Sequence, residues 1–172
     1  DSSFDLNLFK NSLDISYGGG KISAKAYAFS HETNGMSAVI GPELDPFSHY
    51  NIGASMQFKP NTQFDIRSGY DRSSINSDYD NSFPFEDANF KLITSMDRFH
   101  ISPNYNYTNG GASLKFGYQK IARDFQSAYP FQTQGENTQI ELNNRYVFGS
   151  KFYSVVGTLY QKQKADYEGG QE

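Results

Sequence analysis

The sequence predicts an all-β chain, an antiparallel segment of transmembrane β-barrel of about eight strands. Three observations predict it. Apolar and polar residues alternate with period two over stretches of about ten residues. Tight turn signals separate those stretches in pairs. The connections also alternate between short and long, which places all the short ones at one end of an antiparallel sheet.

The first pair of strands covers 12–17 and 21–30. Leu13, Ile15 and Tyr17 share one face, and Gly18-Gly19-Gly20 turns the chain. On the return, Ile22, Ala24, Ala26 and Ala28 oppose Lys21, Ser23, Lys25, Tyr27 and Phe29. The second pair is the clearest. Over 49–58, Tyr50, Ile52, Ala54, Met56 and Phe58 face one way, while His49, Asn51, Gly53, Ser55 and Gln57 face the other. A helical spacing would mix the two sets on every face, so a strand is the reading that segregates them. Lys59-Pro60-Asn61-Thr62 is a turn, with a proline where no ladder donor is needed. The partner over 63–72 carries Phe64, Ile66 and Tyr70 against Asp65, Arg67, Gly69 and Asp71.

The third pair runs over 98–108 and from 112. Phe99, Ile101, Pro103, Tyr105 and Tyr107 oppose His100, Ser102, Asn104 and Asn106. Pro103 cannot donate to a ladder and predicts a bulge or a local break. Asn109-Gly110-Gly111 is a hairpin turn, and Ala112, Leu114, Phe116 and Tyr118 return against Ser113, Lys115, Gly117 and Gln119. The fourth pair covers 137–148 and 151–161 around Gly149-Ser150. Its last strand is apolar on both faces, with Phe152, Val156 and Tyr160 opposite Tyr153, Val155 and Leu159.

Between the pairs lie longer segments at 31–48, 73–97 and 123–136, and another is predicted after 161. Residues 90–96 read as an extension within the second of these, above the membrane. Ten residues span about 33 Å, and a tilt near 40° reduces that to about 25 Å, the height of an outer-membrane apolar band. Tyr50, Phe58, Phe64, Tyr70, Phe99, Tyr107, Tyr146 and Phe148 lie near strand ends, as interfacial aromatics would. Asn51, Gln57, Asp65, Arg67, Asn104, Lys115, Gln119, Glu141, Asn143 and Arg145 would line the lumen.

Composition agrees with this pattern. The 172 residues include 13 Tyr and 15 Phe, yet mean hydropathy is -0.68. That combination is what alternation produces. A net charge of -4 gives no basic face for nucleic acid. No cysteine is present for a disulfide or thiolate site. His31, His49 and His100 sit on separate elements, and there is no nucleophile elbow or phosphate-binding glycine motif, so catalysis is not expected. No run reaches the roughly 20 apolar residues of a membrane helix.

Several runs resemble TonB-dependent outer-membrane receptors, closest to the vitamin-B12-receptor-like proteins of Bacteroidetes. They are Tyr27 through Ala38 as a strand end entering its loop, and Asp45-Pro46-Phe47-Ser48-His49-Tyr50-Asn51 as re-entry. Arg98 through Tyr107 and Leu114 through Phe125 add to the likeness. The resemblance covers about 12–161. It implies a 22-stranded barrel closed around an N-terminal plug; this sequence departs from that in having no recognisable plug or TonB box and room for about eight strands, so residues 1–172 are read as a partial barrel domain. It further implies uptake of a bulky scarce nutrient such as cobalamin or a siderophore. The implied partners are outer-membrane lipid, the TonB complex acting through the absent plug, and a surface lipoprotein, with the outer membrane as location. Two other readings stay open: a complete eight-stranded barrel with a porin or adhesion role, and a soluble β-sandwich binding module.

Ligand contacts are expected on the loops, which vary without disturbing the wall. The candidates are His31, Glu32 and Asn34 on the first, and Arg123, Phe125, Tyr129 and Phe131 on the third. Asp78, Asp80, Glu86 and Asp87 are candidate oxygen ligands for calcium, a hard cation, although their spacing is not that of an EF-hand. The B12-receptor resemblance also implies calcium-linked loops.

Overall fold

The computed structural model describes residues 7–35, 44–82 and 85–169, and the side chains of Ser82, Phe85, Glu86, Asp87 and Gly169 lie outside that description. The described residues form no helix. They form one antiparallel sheet in which every strand pairs with its neighbours in sequence. The strands are β1 (Leu8–Gly19), β2 (Ile22–Thr33), β3 (Phe47–Phe58), β4 (Phe64–Ser82), β5 (Phe85–Tyr107), β6 (Gly110–Gln126), β7 (Phe131–Phe148) and β8 (Phe152–Gly169). Among the described residues β1 and β8 each pair on one side only and do not meet each other. The sheet is therefore an open piece of wall. Among the described residues there is no second sheet for a sandwich and no closure into an eight-stranded barrel.

Alternation becomes two chemically distinct faces because directly paired residues of an antiparallel ladder point the same way. One lateral row runs Ala24, Met56, Ser68, Ile101, Phe116, Ile140 and Tyr160. A neighbouring row on the other face runs Lys25, Ser55, Gly69, His100, Gly117, Gln139 and Gln161. No apolar side chain is buried among the described residues, and Leu13, Ile15, Ile52, Met56, Leu142 and Val156 all stand exposed on the apolar face. The polar face is the more crowded. A Cβ built at Gly53 would lie 2.5 Å from Cζ of Tyr27, and one at Gly69 would lie 2.5 Å from Cε1 of His100. Both rings lie across glycines of the adjacent strand, a cross-strand packing that covers bare backbone.

The short connections fall where expected, after β1, β3, β5 and β7. Gly20 and Gly149 take φ of 52° and 67° in their turns, a region glycine enters without strain. These turns are staggered. Ala24 lies two residues inside the start of β2, whereas Tyr160, in the same lateral row, lies eight inside the start of β8. The difference is six residues over six strand-to-strand steps. With about 3.3 Å per residue and 4.8 Å per step, a line through the turns slopes about 35° from the perpendicular to the strands.

The long connections differ from expectation. Segment 73–97 is not a loop but the far halves of β4 and β5, paired as far as Ser82 and Phe85, with an irregularity between Tyr79 and Asn81. Residues 90–96 are thus an extension of β5. Segment 123–136 shrinks to a connection of four residues, 127–130, and β8 runs on to Gly169 in place of a long segment after 161. β1 also begins earlier, at Leu8. The Ser, Asn and Asp content of these stretches reads as turn chemistry, but a hairpin polar on both sides has the same composition. At Pro103 the ladder to β6 breaks without a bulge: pairing stops after Ile101↔Phe116 and resumes at Asn104↔Ser113 in the same register. The missing backbone donor of proline accounts for the break.

Candidate functional site

Two lateral rows on the polar face, at the end away from the short turns, collect four of the site residues the sequence suggests: His31, Arg123, Phe125 and Phe131. One runs His31, His49, Ile75, Thr94, Arg123, Thr133 and Tyr167. The next runs Thr33, Phe47, Ser77, Leu92, Phe125 and Phe131. His31 and Arg123 therefore share a row four strands apart, about 19 Å at the usual strand spacing, and Phe125 and Phe131 are directly opposed. Here the face that carries amides and charges nearer the turns turns aromatic.

Two ring clusters mark the ends of this shelf. On β6, β7 and β8 the rings of Phe125 and Phe131 stack at 4.2 Å with 14° between planes, and Tyr167 lies 5.6 Å from Phe131. On β2 and β3, Phe29 meets His49 edge-on at 5.5 Å and His31 meets Phe47 at 5.5 Å. Nε2 of His49 is 3.0 Å from Oγ of Ser73, whose residue is 5% exposed. Tyr79 and Phe90 add a pair 5.7 Å apart further out on β4 and β5. Such surfaces offer offset and edge contacts to a flat or bulky apolar ligand.

Nearer the turns the same face holds a charged and amide network. Arg98 grips Asp71 through Nε at 2.9 Å and a terminal nitrogen at 2.8 Å. Asp65 receives Nε2 of Gln57 at 2.8 Å and the Arg67 guanidinium at 3.0 Å. Glu141 receives Nζ of Lys115 at 3.4 Å and Nδ2 of Asn143 at 2.5 Å. Of the sequence-predicted lumen set, Gln57, Asp65, Arg67, Lys115, Glu141 and Asn143 are brought together, and Asn104 donates Nδ2 to the backbone oxygen of Asp65 at 3.3 Å. Between Arg98, His100, Gln119, Asn137 and Gln139 lies a recess of about 360 Å³ floored by Gly117.

Five predicted site residues are placed differently. Glu32 points to the opposite face, where its carboxylate accepts the Tyr50 hydroxyl at 2.5 Å. Asn34 closes the β1–β2 ladder, with Oδ1 accepting the Asn7 amide at 2.8 Å. Tyr129 is 86% exposed in the 127–130 connection. Asp78 faces the same side as Glu32 and stands 3.8 Å from Nζ of Lys91, while Asp80 accepts the amide of Ala88 at 3.3 Å. The side chains of Glu86 and Asp87 lie outside the described residues. No group of three potential metal-binding side chains forms among those described.

Phe29, Phe47, His49, Tyr79, Phe90 and Tyr167 join the candidate shelf, and the loop-based reading did not name them. Their signal was present as parity: each lies an even number of residues from a polar-face position on its own strand.

The apolar face ends in a repeated device. Tyr50 and Tyr70 each reach diagonally to a carboxylate on an adjacent strand, two residues further from the short turns. Tyr50 donates to Glu32 and Tyr70 to Asp97, both at 2.5 Å, and Tyr118, paired with Thr138, has Glu136 at the equivalent position. Beyond them the face becomes charged, with Arg72, Asp97, Lys120, Glu136 and Lys164 in one lateral row. Towards the turns, Phe58, Phe64, Tyr105, Tyr107, Tyr146, Phe148 and Phe152 form the other aromatic margin. The class these features define is an antiparallel β-meander with one exposed apolar belt and one polar, hydrogen-bonded face. Comparison of the chain with models of known protein families, with curated proteins and with solved structures returns no match in any of the three.

Proposed function

We propose that this chain is part of the wall of an outer-membrane β-barrel receptor that takes up a bulky scarce nutrient, cobalamin or a siderophore being the leading classes. Import would be driven by the TonB complex acting through a plug domain. The exposed apolar belt carries the membrane part of this reading. Water leaves such a belt costly, at about 25 cal/mol for each Å² of apolar surface, whereas lipid removes that cost. Intervals of eight residues separate the aromatic margins on β3 (Tyr50 to Phe58), β5 (Phe99 to Tyr107) and β8 (Phe152 to Tyr160). That is about 26 Å along the strand, or about 22 Å along the normal at the slope set by the turns, close to the roughly 25 Å of an outer-membrane band. The same slope lies at the edge of the 35–45° strand tilt typical of membrane barrels.

The receptor part rests on the sequence resemblance and on the aromatic shelf, whose two ring clusters stand roughly 15–20 Å apart across the wall. A small solute cannot touch both, and a bulky one can. Lipid exposure is tested on single cysteines, which the natural sequence leaves free for labelling. In the vesicle-inserted chain, dyes at Ile140→Cys and Leu142→Cys should be quenched by lipid-borne quenchers. Those at Gln139→Cys and Asn143→Cys should respond to aqueous quenchers instead. Equal response at both parities would exclude a single lipid-facing side. For transport, cells carrying the source gene should lose uptake of labelled cobalamin or ferric siderophore about tenfold on joint Phe125→Ala and Phe131→Ala substitution, from the loss of two stacked rings. Unchanged uptake of every ligand the cells import would remove the shelf from the pathway.

A further inference from the structure

We propose that Lys120, Lys162 and Lys164 form a binding site for the phosphate of a membrane lipid headgroup, an inference that rests on the membrane reading above. All three lie on the apolar face just beyond its tyrosine margin. Lys162 pairs through Thr138 with Tyr118, and Lys164 pairs through Glu136 with Lys120. Lys162 and Lys164 are two residues apart on one strand, about 7 Å, and Lys120 is two strand spacings from Lys164, about 10 Å. The ammonium groups can therefore converge on one phosphate from three sides.

Of the acids on this face beside them, Glu136 accepts Nε2 of Gln134 at 3.3 Å, and Asp166 lies two residues beyond Lys164. Asp97, beside Lys120 in the ladder, takes the Tyr70 hydroxyl at 2.5 Å and lies 4.0 Å from Nε of Arg72. None of the three lysines makes an ion pair with a described residue, unlike Lys25, Lys91 and Lys115, which pair with Asp14, Asp78 and Glu141. The three lysines outnumber Glu136 and Asp166, so the patch keeps a net positive charge where the apolar belt stops, the depth at which an inserted lipid carries its phosphate. On β1, β2 and β3 the corresponding positions are Asn11, Ser30, Glu32 and Ser48, and on β4 Arg72 lies 4.0 Å from Asp97, so the cations without an ion pair to a described residue gather on β6 and β8.

The test uses the full chain in phosphatidylcholine vesicles, with a fluorophore on Thr138→Cys and bromine quencher carried either on phosphatidic acid or on phosphatidylcholine. Preferential quenching by brominated phosphatidic acid is expected, with a relative association constant of about ten or more, because basic side chains near the membrane surface favour anionic lipid. Joint Lys120→Gln, Lys162→Gln and Lys164→Gln substitution should return the ratio to about one. A ratio of one in the unsubstituted protein, with quenching by both lipids, would overturn the site while leaving the membrane reading intact. No quenching by either lipid would overturn the membrane reading and this site with it. Loss of the preference on adding inorganic phosphate would identify a free-phosphate site and overturn the lipid assignment.

Discussion

Replacing Leu142 with arginine should destabilise the vesicle-inserted protein by about 2–4 kcal/mol, the range for a cation on the lipid side of a barrel near the bilayer midplane. Leu142 sits inside the belt, between Leu114 and Thr158 in its row. An arginine there has no carboxylate in its row and must bend towards a headgroup or draw water inward. The substitution Gln139→Arg on the same strand is the control. It places the same group on the polar face beside Gly117, where a built Cβ meets nothing within 4 Å, and it should cost less than about 1 kcal/mol. Urea titration of the inserted protein checks both. Equal costs at the two positions would remove the distinction between the faces on which the membrane reading stands.

Gly110→Val should cost about 3 kcal/mol, the upper end of overpacking penalties. Gly110 opens β6 and pairs with Tyr107 on one side and Tyr146 on the other. A Cβ there collides with the backbone carbonyl oxygen of Arg145 and lies 2.9 Å from the ring of Tyr107. A ring can swing aside, but a carbonyl in a ladder moves only with its strand. Gly117→Val, in open space on the same strand, should be tolerated within about 1 kcal/mol, and the difference in urea midpoint between the two variants measures the effect. Comparable midpoints would show that β7 yields at Arg145 more easily than the packed ladder suggests.

Strand identity was legible because side-chain parity survives pairing. The alternation of Tyr50, Ile52, Ala54, Met56 and Phe58 assigns a face without any knowledge of partners, and even the two-sided pattern of β8 placed Tyr153, Val155 and Leu159 opposite Phe152, Val156 and Tyr160 correctly. Strand ends were not legible where both faces turn polar. Between Ser73 and Ser82 no residue pattern separates a solvated loop from an extended hairpin, because cross-strand pairing is a non-local fact. The candidate site shows the same division. Phe125 and Phe131 were found by type and proximity to a turn, whereas Glu32 was misplaced because it was read as a loop residue. Its even spacing from Ala28 and Ser30 already put it on the Tyr50 side. The union of Phe29 and Phe47 with their histidines required the register between β2 and β3.

The stagger of the short turns bears on what could pass through such a wall. A sheet that shifts one residue per neighbour, once rolled shut, has a circumference governed by strand number alone. Eight strands give a cylinder about 8 Å in backbone radius, a bore that inward groups the size of Tyr27, Arg98 and Gln119 would fill. At the same slope 22 strands give a radius near 20 Å. On the proposed transport reading, passage of a large solute past the phenylalanine shelf would require the girth of the larger cylinder, and the cargo's size limit would belong to the assembled barrel rather than to these eight strands.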